Sequence, residues 1–143
     1  MSKDTIDLLK ECNAGCKSAT NSMEQVQPYL KEGKLKSLIE YYNEQHIKIG
    51  DECHTLLNQQ REEERDPSMA AKVYSWISTE MKLMVNSDET KIADIMVKGC
   101  DMGIKSLEKY LNQYQEADSK SRHLTEKLIS LEEKFREELY DYL

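Results

Sequence analysis

Apolar residues recur at three- and four-residue intervals along the chain, the period of a helix face turned toward a core. Leu9, Cys12, Cys16, Ala19, Met23 and Val26 form one such seam and predict a first helix over 4–27. Pro28 and Gly33 mark the turn that follows it. Leu35, Leu38, Tyr42, Ile49, Cys53 and Leu56 share the next face, widened by Ile39, His46 and Leu57. They predict a second helix over 34–62, roughly 40 Å long at the helical rise. So tight a turn makes the two helices antiparallel neighbours.

Asp66-Pro67 reads as a helix start, an acceptor at the cap followed by proline where its missing N–H costs nothing. The predicted third helix, 67–85, is shorter; Met69, Val73, Trp76, Ile77, Glu80 and Met84 lie on its face. Asn86-Ser87-Asp88 interrupts the pattern and offers a new cap. The fourth helix is predicted over 89–114 with two adjacent apolar faces, which suggests two neighbours. Gly99 and Gly103 interrupt one of those faces, at about 1 kcal/mol each relative to alanine, and imply close approach by another element. The fifth, over 118–142, carries Leu124, Leu128, Leu131, Phe135, Leu139 and Tyr142; its outer face is charged.

These elements predict one all-α domain over 1–143. The preferred architecture is a ferritin-like four-helix bundle in which a short additional helix carries the chain back to its starting end. That return makes the second and fourth helices parallel. An all up-and-down order is the alternative.

Composition narrows the function. Charged residues are 33% of the chain and the formal net charge is −7, without a block of lysine or arginine. Nucleic acid and anionic membrane surfaces, which need a basic footprint, are therefore not expected partners. No stretch approaches the ~20 apolar residues of a membrane span. The N-terminus has no signal-peptide pattern, so the expectation is a cytoplasmic protein whose four cysteines are thiols.

A di-iron bundle needs inward carboxylates from two helices and a Glu-x-x-His pair from each of the other two. Asn43 stands three residues before His46, and Lys120 three before His123; Asp51 points away from the core seam. A conventional di-iron centre is not expected. Cys12, Cys16, His46 and Cys53 all face inward, and a set of three thiolates and one imidazole suits tetrahedral zinc. The same residues are also ordinary buried packers. Glu80 shares a face with Trp76 and requires a partner or a raised pKa; His46 is the candidate. No nucleophile motif or phosphate loop occurs, and no residue is assigned a catalytic or cofactor-binding role. Trp76 reads as a core anchor.

The order of two long helices, a Trp76-Ile77 helix, a Gly99-Cys100 to Tyr110 helix and a final helix resembles an uncharacterised bacterial family of ferritin-like four-helix-bundle proteins. The resemblance implies that fold. The family usually has Glu where this chain has Cys100, and often His where it has Val73, so two potential ligands are missing. The expected function is a non-enzymatic bundle lacking a di-iron site and acting through protein association, with a homodimer as the expected form. The alternative is a metal-binding or redox protein that binds Zn or Fe through Cys12, Cys16, His46, Cys53 and Glu80.

Overall fold

Three of the helices begin at a side-chain cap. Ser2 accepts from the Thr5 amide, Asp88 from Lys91 and Asp118 from Ser121, each satisfying an amide that the first helical turn leaves free. In the computed structural model, which describes residues 1–65, 70–84 and 88–143, the α-helices are α1 (Lys3–Val26), α2 (Lys34–Gln59), α3 (Ala70–Lys82), α4 (Glu89–Gln113) and α5 (Ser119–Leu139). A 3-10 turn over Gln27–Tyr29 closes α1, and another over Tyr140–Tyr142 closes α5. Gly33 opens α2 at φ 151°, where an L side chain is strained. The expected start at Asp66-Pro67, together with Met69, Asn86 and Ser87, lies outside the described residues.

Helix directions follow from contacts at their ends. The Glu116 amide donates to Asp4 Oδ2 at 3.0 Å and the Asp118 amide to Thr5 Oγ1 at 2.9 Å. The start of α1 therefore meets the α4–α5 turn, so α1 is antiparallel to α4 and parallel to α5. The α1–α2 hairpin makes α2 antiparallel to α1. Consequently α2 and α4 run the same way, and the segment holding α3 returns the chain along the bundle. Around the bundle, α1 and α2 pair closely, α4 and α5 pair closely, and α1 and α5 also touch. α3 packs on the outside of α1. Gln25 tethers it there, donating to the Tyr74 carbonyl at 3.0 Å and to Ser78 Oγ at 2.9 Å.

The core divides into two apolar clusters. One, near the C-terminal half of α1, gathers Met23, Val26, Ile39, Ile77, Ile92 and Leu139. The other, near its N-terminal half, gathers Leu8, Leu9, Cys12, Cys53, Leu57 and Leu128. The broad apolar surface of α4 is accounted for within the chain, where it meets α1 and α5. Of the expected seam residues, Ala19, Leu38, Val73, Trp76, Met84, Leu131 and Tyr142 are only partly buried and pack against the core edge. Among the described helices none is long and apolar enough to cross a membrane.

Candidate functional site

His46 comes from the middle of α2 and is fully buried. Its Nδ1 lies 2.6 Å from the Tyr42 carbonyl oxygen, one helical turn back. A carbonyl only accepts, so Nδ1 carries the hydrogen and donates it. The other nitrogen, Nε2, lies 2.5 Å from Glu132 Oε1 on α5. One proton must sit between them, because a bare nitrogen lone pair against a bare carboxylate oxygen would repel. The couple is then imidazolium with carboxylate, or neutral imidazole with carboxylic acid. Both descriptions have the same net charge of zero.

Aromatic packing holds this couple in register. Phe135, three residues after Glu132, stacks on Tyr42 with ring centroids 4.5 Å apart and an interplanar angle of 18°. It also meets the His46 ring edge-on. The Tyr42 hydroxyl donates to Glu138, and burial followed by that acceptor raises its pKa. Cys100 approaches Glu132 from α4. Burial first, and then the Glu132 charge, push the thiol pKa well up, so it stays protonated at neutral pH.

In front of Glu132 lies a cleft of about 160 Å³ between α1, α3 and α4. Small residues line its two long walls: Gly15, Ser18 and Ala19 on α1, Gly99, Gly103 and Ser106 on α4. Glycines on facing helices often permit close backbone contact. Here an added Cβ at Gly99 would meet nothing within 4 Å. At Gly103 the nearest atoms would be Glu132 Cδ at 3.7 Å and Oε2 at 3.8 Å. Gly99, which is exposed, therefore borders open space, contrary to the close approach expected for it, whereas Gly103 is in ordinary contact with the Glu132 side chain of α5. Gly50 on α2 does pack closely, since its Cβ would lie 3.3 Å from Cys16 Cβ. Trp76 and Phe135 add aromatic surface to the cleft. Trp76 is partly buried: it packs against the edge of the core and also lines the cleft under Lys98, whose Nζ is 5.9 Å from the ring.

The expected ligand set is split. Cys12, Cys16 and Cys53 do converge, beside Thr125. Hydrogen bonding to Cys12, followed by burial, raises the pKa of Cys16 and Cys53, while hydrogen bonds from those two sulfurs lower that of Cys12. If the cluster ionises, the charge settles on Cys12. His46, however, is committed to Tyr42 and Glu132. Glu80 is not the partner of His46: it forms an ion pair with Lys91 at the partly exposed edge of the bundle. Among the described residues no group of three or more His, Cys, Asp or Glu side chains is placed to hold a metal ion.

Sequence reasoning missed Glu132. It opens the run Glu132-Glu133-Lys134, which reads as a solvated face. The available signal was angular. Glu132 follows Leu128 by four and precedes Phe135 by three, so all three share one face. No family model, curated protein or solved structure matches the chain.

Proposed function

We propose that this chain is a non-enzymatic, ferritin-like helical bundle without a di-iron centre that binds a small, mainly apolar molecule in the α1/α3/α4 cleft. The return segment between the parallel helices α2 and α4 supports the ferritin-like reading. At mid-bundle one His and one Glu occupy a level where a di-iron bundle needs four carboxylates and two histidines. Ala19, Cys100 and Gly103 fill nearby positions, and none carries a carboxylate. Space takes the place of ligands.

The observation that carries the binding reading is the mainly apolar cleft of about 160 Å³ between α1, α3 and α4, with the buried Glu132 on its floor. Helical glycine costs about 1 kcal/mol relative to alanine. Close packing does not offset that cost at Gly99. A cavity of about 150 Å³ lined by apolar side chains stays dry and admits benzene. The cleft has a comparable volume and mostly apolar walls, but it is open to solvent beside the exposed Gly99 and Ser106; Glu132 lies at its floor, and a few polar groups in an apolar lining are the usual make-up of a small-ligand site.

Titration of the protein with toluene, followed by amide NMR shifts, tests this. Saturable shifts confined to α1, α3, α4 and the part of α5 around Leu128, Glu132 and Phe135 are expected. An Ala19→Leu/Gly99→Leu double variant, which fills the cleft, should remain folded and lose them. Absence of saturable binding to the parent, or equal binding to the folded double variant, rejects the reading.

A further inference from the structure

The chemistry of the floor selects among ligands that fit the cleft. This inference rests on the cleft-binding reading above and adds the ligand class. Oε1 of Glu132 is taken by His46. Oε2 is the oxygen turned toward Gly103, hence toward the cleft. The proton between His46 and Glu132 has two placements, and both leave Oε2 an acceptor. If the proton is on Nε2, Oε2 belongs to a carboxylate. If it is on Oε1, Oε2 is the carbonyl oxygen of the acid.

Neighbouring groups do not change that result. On α4 the Cys100 thiol, a weak donor, approaches the carboxyl. On α1 Cys16 is a thiol whose pKa is raised by its hydrogen bond with Cys12 and by burial. On α5 Arg136 is turned to Asp101, with Nη1 2.7 Å from Oδ1. At the cleft rim Glu11 is paired with Arg65. The floor is thus a net-neutral couple exposing one acceptor oxygen. An ammonium entering there would be buried with no net charge to balance it, and a carboxylate would face Glu132.

We propose that the cleft takes neutral, ring-sized apolar molecules bearing one hydrogen-bond donor, the phenol class, with the ligand O–H donating to Glu132 Oε2. The ring lies among Trp76, Phe135 and the small residues of α1 and α4.

Phenol, toluene, benzylamine and benzoate, compared by NMR titration at neutral pH on the unaltered chain, provide the test. Phenol should bind roughly three- to tenfold more tightly than toluene, the value of one net hydrogen bond. Benzylamine and benzoate should bind more weakly than toluene. Glu132→Gln should keep the phenol preference, because the amide N–H donates to His46 Nε2 and leaves its oxygen in the cleft. Glu132→Met should bind both neutral ligands without preference. Phenol no tighter than toluene, or benzylamine tightest of all, overturns the phenol-class assignment while leaving cleft binding intact. Failure of all four ligands on the folded parent removes both readings. Loss of the phenol preference in a folded Glu132→Gln variant would show that the carboxyl is not acting through its free oxygen.

Discussion

At residue scale, His46 illustrates how one hydrogen bond determines the chemistry of the next. The Tyr42 carbonyl commits Nδ1 as a donor, and the contact at the other nitrogen then needs one proton shared between Nε2 and Glu132 Oε1. A buried, unshared carboxylate would carry a large desolvation cost; the shared proton removes most of it. Cys100 extends the same electrostatics to a measurable pH effect. Its thiol pKa is raised in the folded state by burial and by Glu132. Below the ordinary thiol value of about 8.5 both folded and unfolded chains hold the proton, and the stabilisation is fully present. Above it the unfolded chain releases the proton while the folded one retains it, so stability falls with a slope of up to about 1.4 kcal/mol per pH unit. Urea unfolding at about pH 8 and pH 10 should show the parent losing more stability than Cys100→Ala, by about 2 kcal/mol. Equal losses would mean that the thiol is not held neutral by its surroundings.

At the scale of the elements, the helices are locally consistent: capped starts, seams on one side and charges on the other. Their glycines are not equivalent. Gly99 on α4 borders open space, whereas Gly50 on α2 lies under Cys16. Alanine at 99 gains helix propensity and meets no obstacle. At 50 the same gain is offset, because α1 and α2 must move apart by a few tenths of an ångström. Thermal unfolding should therefore place Gly99→Ala above the parent by about 0.5–1 kcal/mol, and above Gly50→Ala by about 1 kcal/mol. The reverse order would show that the α4 glycines are the ones in close contact. The helix positions were legible in the sequence to within a few residues, because capping and amphipathic periodicity act over one or two turns. The space beside Gly99 was not. A glycine at an apolar face signals either close packing or a vacancy, and only the neighbouring helix distinguishes them.

For the whole molecule, the arrangement of α3 is the informative feature. Four long helices each bury a face among several neighbours, while α3 rests mainly on α1. Tyr74, on α3, is 61% exposed, and so much of that helix faces solvent. Fewer buried contacts imply a lower free energy of local opening. Native-state hydrogen exchange should show the least protected helical interior in α3 and the most protected in α1, α2 and α5. Uniform protection across all five helices would contradict this. Since Val73, Trp76 and Ile77 of α3 border the cleft, ligand binding should slow exchange there. α3 is then both part of the return segment and one wall of the proposed site.

The chain's periodicity by itself determined an all-helical protein, the approximate bounds of its helices and the inward placement of Cys12, Cys16, His46 and Cys53. These properties are local: each depends on residues within a few turns. Tertiary structure decided which inward groups meet. His46 bonds to Glu132, 86 positions away in sequence, in place of Glu80, which pairs with Lys91. It also decided that three thiols gather without the histidine and that small residues on α1 and α4 border an open cleft. Pairing and empty space depend on the order and spacing of packed helices, and no short-range pattern encodes either.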